Sequence, residues 1–105
     1  MAICVIRKKD GEILVRADKP EQVTEIGDAY YFHPDIVVLE GLERTDRIYQ
    51  CPDKGTCYWI DLVTEKGVIV DASWIYPEPK QEFRHIAGWY GFNANHRYYE
   101  TKECE

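Results

Sequence analysis

The sequence lacks the features that usually identify membrane proteins, exported proteins and nucleotide-binding enzymes. No apolar run approaches the roughly 20 residues that a membrane-spanning helix needs. The apolar stretch at residues 3–6 precedes its positive charges instead of following them, unlike a signal peptide. No glycine-rich loop opens a helix, which argues against a phosphate-binding loop. We therefore expect a cytoplasmic protein with no membrane partner.

Positive charge is also scarce. The chain has 13 basic and 19 acidic residues, and its formal net charge is −6. Such a balance opposes binding to phosphate backbones unless the basic residues cluster. Arg7, Lys8 and Lys9 form the only basic run, and Asp10 follows it directly. The composition therefore argues against a nucleic-acid partner.

The spacing of the cysteines does not indicate a metal site. The four cysteines are at positions 4, 51, 57 and 104, and without a secretion signal we expect reduced thiols. The gap between Cys51 and Cys57 exceeds the roughly two to four residues of a zinc knuckle, and no second close pair of Cys or His accompanies it. Pairing of terminal strands could bring Cys4 and Cys104 together, but no function is assigned to them. We predict no metal and no other cofactor.

Short runs rich in Val, Ile, Tyr and Trp are what the sequence does contain. Gly, Pro and Asp separate these runs, a pattern typical of a small antiparallel β domain. A chain of 105 residues with 45% hydrophobic residues can bury roughly two-thirds of its unfolded surface. We predict a single, mainly β domain over residues 1–105, built from several hairpins with one short helix.

Turn residues predict the positions of the strands and of the helix. Asp10-Gly11 and Gly27-Asp28 are typical of tight hairpin turns. The short helix is predicted from Pro79 to Ala87, with Gly88 ending it in a left-handed conformation. Its apolar stripe is expected to consist of Phe83, Ile86 and Ala87. The expected strands are 3–7, 12–16, 22–26, 29–32, 36–40, 47–51, 56–63, 68–76, 89–92 and 97–101.

Two neighbouring strands carry most of the unusual chemistry. Pairing of Val63 with Val68 across the turn at residues 64–67 places Trp59 opposite Ala72. Small Ala72 then leaves room between two indoles for a flat group or a cation. The residues predicted to share this face are Cys57, Trp59, Ala72, Trp74 and Tyr76.

The same face has a plainer interpretation. Two tryptophans on one face of a small β domain are also typical of a hydrophobic core. A register shift of one residue would bring Asp71 and Ser73 to the face of Trp59. Asp71 lies within a β-forming run, where a buried charge needs a partner; Lys54, Arg84 or a ligand could provide it.

The segment Cys51-Pro52-Asp53-Lys54-Gly55 has the composition of a turn. The turn would place the ammonium of Lys54 near Cys51, where it would lower the pKa of the thiol. Alternatively, Lys54 is a solvated turn residue and Cys51 a small buried hydrophobe. A thiol-dependent enzyme also needs a positioned base, and the three histidines, His33, His85 and His96, are expected at the surface.

Four segments together resemble a known family: GDAYYFHPD (27–35), CPDKGTCYW (51–59), DASWIYPEP (71–79) and IAGWYGF (86–92). Their order and spacing, over about residues 11–93, are similar to the bacterial and fungal family called domain of unknown function 427. The resemblance implies a β-tent, the fold of Mss4-like exchange chaperones, methionine sulfoxide reductase B and the thalidomide-binding domain of cereblon.

Two properties of that family and its relatives are not carried over. Several β-tents hold zinc between two Cys-x-x-Cys pairs, and this chain has neither pair. A nucleotidyltransferase label has been attached to the family, but the chain lacks a Gly-Ser followed by the Asp-x-Asp pair that would hold magnesium. The positions that match the family pattern are Cys51, Pro52, Lys54, Gly55, Tyr58, Trp59, Asp71, Ala72, Trp74, Tyr76 and Pro77.

The sequence leads to one preferred function and two alternatives. We expect a binding module with an aromatic pocket that takes a small organic or nucleoside-like ligand, and we favour this function over an enzyme. The alternatives are a thiol-dependent enzyme, with Cys51 and Lys54 as candidate catalytic residues, and a small protein-interaction module that could form a homodimer. The predicted ligand-binding residues are Cys51, Lys54, Trp59, Asp71, Trp74 and Tyr76.

Overall fold

A computed structural model describes residues 2–35 and 41–104, and this part of the chain is mainly β. Its strands form two antiparallel sheets, which confirms the predicted fold class. The likeness to Mss4-like β-tents stays a prediction. The strands are β1 (Ala2–Arg7), β2 (Ile13–Ala17), β3 (Val23–Ile26), β4 (Ala29–Phe32), β5 (Leu42–Cys51), β6 (Gly55–Thr64), β7 (Gly67–Ile75), β8 (Tyr90–Asn93) and β9 (Tyr99–Cys104).

The smaller sheet has the strand order β2-β1-β9 and joins the two ends of the chain. The predicted first hairpin is confirmed, with Gly11 at a φ of 76° in its turn. Antiparallel pairing of β1 with β9 brings Cys4 and Cys104 together as a disulfide with a Cα–Cα distance of 5.9 Å. The expectation of reduced thiols is therefore wrong for this pair, whereas Cys51 and Cys57 are free.

The larger sheet has the strand order β3-β4-β8-β7-β6-β5. The predicted hairpin around Gly27 is confirmed, and this glycine has a φ of 62°. The strand predicted at residues 36–40 lies outside the described residues. Within the described ranges, no helix is long and apolar enough to cross a membrane.

The central hairpin has the predicted turn but a different register. Val63 pairs with Val68 as predicted, yet Trp59 pairs with Trp74 instead of Ala72. A bulge in β7 causes the shift, and Asp71 adopts a φ of 55° within it. The two indoles are therefore directly opposite, and the predicted slot over Ala72 is wrong.

The predicted helix is also wrong, because residues 81–86 form only a short 3-10 segment. Lys80 still has an extended ψ of 157°, and Phe83 leaves the helical region with a φ of −116°, so no continuous α-helix forms. Ile86 is fully buried, as the predicted apolar stripe requires, but Ala87 is exposed. Gly88 ends the segment with a φ of 78°, as predicted. A second 3-10 segment covers Pro20–Gln22.

Two apolar clusters cover opposite faces of the larger sheet. The first cluster lies between the sheets and includes Phe32, Phe92 and Tyr99. The buried Tyr99 hydroxyl donates to the carbonyl of Ala72 at 2.6 Å. The second cluster lies on the other face, because neighbouring residues of β4 alternate between the two clusters. Its buried members are Ala29, Tyr31, Cys57, Trp74, Tyr76 and Ile86.

Candidate ligand-binding cleft

Aromatic rings on the outer face of the larger sheet contact one another edge to face. The ring centroids of Trp59 and Trp74 are 6.0 Å apart, with an interplanar angle of 73°. The Tyr31 ring centroid lies 6.0 Å from that of Trp74, also edge to face, and 6.5 Å from that of Tyr76 in a tilted arrangement. The indole Nε1 of Trp74 donates to the Tyr31 hydroxyl at 3.1 Å. These contacts fix the Trp74 ring, which is only 8% exposed.

Gly91 provides the space for that ring. It pairs with Trp74 across the β7–β8 ladder. A Cβ atom at position 91 would lie 2.5 Å from Cε2 and 2.6 Å from Nε1 of the indole, far closer than a van der Waals contact allows. A glycine inside a strand often marks such a close approach, and this signal could have been read from the sequence.

An open cleft of about 690 Å³ borders these rings. Trp59 and Trp74 line it together with Tyr76, and the side of the cleft near the β3–β4 turn carries Asp28 and Asn93. Lys54 lines it as well, with its ammonium 4.9 Å from the centroid of the Phe83 ring. The cleft therefore combines aromatic walls with one cation, one carboxylate and one amide.

The structure brings most of the predicted site residues together. Lys54, Trp59, Trp74 and Tyr76 line the cleft, and Cys51 packs against the same aromatic cluster. The lining residues also include Tyr31, Tyr49, Asp28 and Asn93, none of which was predicted to bind a ligand.

Residues 4–103 match the family model described as domain of unknown function DUF427. The chain belongs to this family. The match is wider than the resemblance over residues 11–93 and includes parts of both β1 and β9. No curated protein gives a significant match.

In this DUF427 domain, Asp71 lies apart from the aromatic cleft. Arg47 donates to its carboxylate from Nε at 2.9 Å and from Nη2 at 2.7 Å. Asp61 accepts from the same Nη2 and from the backbone N–H of Asp71, the latter at 2.9 Å. Asp71 thus has a charged partner that the sequence did not predict, and together these contacts hold the bulge of β7.

The turn at residues 51–55 creates an unusual environment for Cys51. Burial raises the pKa of its thiol, but hydrogen bonds from the backbone of Lys54 and Asp53 lower it, as do the Tyr76 hydroxyl and the charge of Lys54. The net effect is a lowered pKa. Burial instead raises the pKa of the Cys57 thiol, although the Tyr76 hydroxyl acts in the opposite direction.

No described histidine is among the groups that alter the pKa of Cys51. His33 packs edge-on against Trp89 with ring centroids 5.1 Å apart, and His96 stacks on Tyr99 at 4.4 Å. His85 is exposed. In residues 2–35 and 41–104, no group of three or more His, Cys, Asp or Glu side chains could hold a metal ion.

Proposed function

We propose that this DUF427 domain binds a small organic ligand in the aromatic cleft. The cleft carries the proposal, because its volume of about 690 Å³ falls in the range of about 300–1,000 Å³ typical of small-molecule sites. Such sites combine apolar walls with a few polar groups that orient the ligand. Trp59, Trp74 and Tyr76 provide the walls here, and Lys54 and Asn93 provide polar groups.

The polar groups favour a planar ring with both donors and acceptors. The carboxylate of Asp28 accepts hydrogen bonds, the ammonium of Lys54 donates them, and the Asn93 amide does both. Aromatic edges and faces add favourable contacts to a flat ring. A nucleoside-like ligand has this combination, with a flat base and a hydroxyl-bearing sugar.

A thermal-shift screen of nucleosides and small aromatic compounds tests the proposal. A ligand that binds only the native state raises the midpoint of unfolding. Trp59 is only partly buried, so Trp59→Ala should fold and should lose the stabilisation. Tyr58→Ala is the matched control, since this residue lies on the same strand with its ring against Arg44. Equal stabilisation of wild type and Trp59→Ala by every compound that binds would exclude this cleft as the binding site.

The environment of Cys51 supports a second candidate function, thiol chemistry. Its lowered pKa increases the thiolate fraction at neutral pH, which is a requirement for a nucleophilic cysteine. Backbone amides of the turn have a greater effect on this pKa than the charge of Lys54. The rate of alkylation by iodoacetamide should therefore fall only partly in Lys54→Gln. If Cys51 of the wild type is alkylated no faster than an unperturbed thiol, a thiol-dependent enzyme that uses Cys51 is excluded.

A protein-interaction role stays a third hypothesis. Strand β5 is the last strand in the order of the larger sheet, and edge strands can pair with another chain. Ile48 and Tyr49 on this strand are 51% and 50% exposed. Sedimentation of wild type and Ile48→Lys tests whether a homodimer forms through this edge, and a monomeric wild type would exclude it.

A further inference from the structure

Folding gathers basic residues that are far apart in the sequence. Arg7, Lys8 and Lys9 come from the end of β1 and the turn after it, Lys66 from the β6–β7 turn, and Arg97 from the segment before β9. All five line one cleft of about 680 Å³. A concentration of positive charge is unexpected in a chain with a net charge of −6, and the sequence shows only the first three residues as a run.

Arg7 lies at this cleft with part of its hydrogen-bonding capacity unused. The residue is only 6% exposed. Its Nη1 donates to Asp10 at 3.2 Å and to Glu12 at 3.0 Å. Its buried Nη2 has no hydrogen-bond partner among the described residues. A buried donor without a partner is costly, and the guanidinium of Arg7, a residue that lines the cleft, keeps an unused donor.

The local charges leave an excess of positive charge. Lys66 pairs with Asp10 and lies 3.6 Å from Glu12. The five cationic side chains and these two carboxylates together carry a formal net charge of +3. Within the described part of the chain, Lys9 and Arg97 form no ion pair, so both charges are available to a ligand.

Apolar side chains line the same cleft. Val68 and Val70 are 55% and 60% exposed, and the exposed Tyr98 has the guanidinium of Arg97 at 5.4 Å from its ring centroid. We propose that this basic cleft binds the phosphate group of a small phosphorylated ligand whose apolar or aromatic part contacts Val68, Val70 and Tyr98. Arginine and lysine are the residues that bind phosphate oxygens through charge-assisted hydrogen bonds.

The basic cleft is separate from the aromatic cleft, because the two have no lining residue in common. Its ligand is expected to be small, since the net charge of −6 repels a long polyanion. Phosphate binding in the basic cleft therefore does not require the ligand proposed for the aromatic cleft.

Titration with phenyl phosphate, followed by amide NMR at low ionic strength, tests the proposal. We expect saturable shifts at Lys9, Lys66, Val68 and Arg97, weaker binding of inorganic phosphate and no binding of phenol. Binding should weaken as salt screens the charges. Shifts spread evenly over the surface would overturn the proposal, and so would tighter binding of a single-stranded oligonucleotide than of phenyl phosphate.

Charge-neutralising variants locate the site. Lys9→Gln and Arg97→Gln should each weaken phenyl phosphate binding by about tenfold, the effect of losing one charge-assisted hydrogen bond. Both residues are exposed, so these variants should fold even if a change at buried Arg7 does not. Lys19→Gln is the control, because it removes one exposed charge that does not line the cleft. Equal weakening in all three variants would show a general charge effect and overturn the site.

Discussion

At the scale of single residues, the carboxyl group of Asp10 is the clearest electrostatic feature. A hydrogen bond from Lys66 is the largest cause of the shift in its pKa, from the ordinary value of 3.8 to about 2. A carboxyl group whose pKa is lowered by folding contributes stability above its unfolded pKa and loses this contribution as the pH falls through its folded pKa. The contribution of Asp10 should therefore disappear between about pH 4 and pH 2.

Lys66→Gln tests this assignment. Without the ammonium, the pKa of Asp10 should rise from about 2 towards its ordinary value of 3.8. NMR titration of the Asp10 side-chain carboxyl carbon measures the change directly, and Lys19→Gln controls for the loss of one positive charge. An unchanged pKa in Lys66→Gln would mean that other groups lower it.

Gly91 is the second residue with a specific prediction. An added Cβ would overlap the Trp74 indole, so Gly91→Ala should lower the free energy of unfolding by about 1–3 kcal/mol through overpacking. Urea unfolding measures the loss, and tryptophan fluorescence reports the displaced indole. Adding Trp74→Leu should recover part of the stability that Gly91→Ala loses, because the smaller side chain leaves room for the methyl group. If Gly91→Ala and Trp74→Leu lower the free energy of unfolding additively when combined, the steric explanation is wrong.

At the scale of secondary-structure elements, turn chemistry was predictable and the bulge was not. Gly11, Gly27 and Gly88 have the positive φ values that their positions in the sequence indicated. The bulge depends on Arg47, which reaches Asp71 from a strand 24 residues earlier. No local pattern shows such a contact. Cys57, Trp59, Trp74 and Tyr76 share the predicted face, because a shift of two residues preserves the alternation of side chains outside the bulge. Ala72, predicted on the same face, lies at the bulge and packs in the first cluster instead.

The backbone of the bulge leads to a prediction at Asp71. A φ of 55° is unfavourable for a β-branched residue. Asp71→Val should lower the free energy of unfolding by about 1–3 kcal/mol through this strain, in addition to the lost ion pair. Asp71→Gly also removes the carboxylate but tolerates the positive φ, so it should cost less. Chemical denaturation of both variants measures the difference, and equal costs would leave the lost ion pair as the only cause.

At the scale of the whole molecule, the Cys4–Cys104 disulfide joins strands from the two ends of the chain. The sequence suggested that these residues could meet but gave no sign of a bond. Disulfides are typical of oxidising compartments. The bond therefore does not support the expected cytoplasmic location, which stays a prediction. The bond closes the chain over a separation of 100 residues, and long loops gain the most from such a constraint.

Removing this bond should destabilise the protein. The double variant Cys4→Ala, Cys104→Ala should lose about 2–5 kcal/mol of unfolding free energy. Reduction of the wild type should have a similar effect, while the double variant should be insensitive to a reducing agent. Unfolding midpoints measured with and without reductant test both statements. Identical midpoints for the wild type in the two conditions would show that the disulfide does not contribute to stability.

The aromatic cleft is the part of the molecule on which the proposed function depends. The match to the DUF427 family model shows that the chain belongs to this family, but it assigns no ligand. The residues around the cleft come from all six strands of the larger sheet, β3 to β8, and from segments between strands. The sequence predicted the central tryptophans, and only the fold adds Tyr31 and Asn93 from distant strands.

The most direct test is to follow the indole N–H resonances of the three tryptophans by NMR during titration with nucleosides and small aromatic compounds. Trp59 and Trp74 line the cleft. Trp89, which packs edge-on against His33, does not line it and is the internal control. We predict that a bound ligand shifts the resonances of Trp59 and Trp74 saturably and leaves that of Trp89 unchanged. Equal shifts of all three resonances, or no shift with any compound, would contradict ligand binding in this cleft.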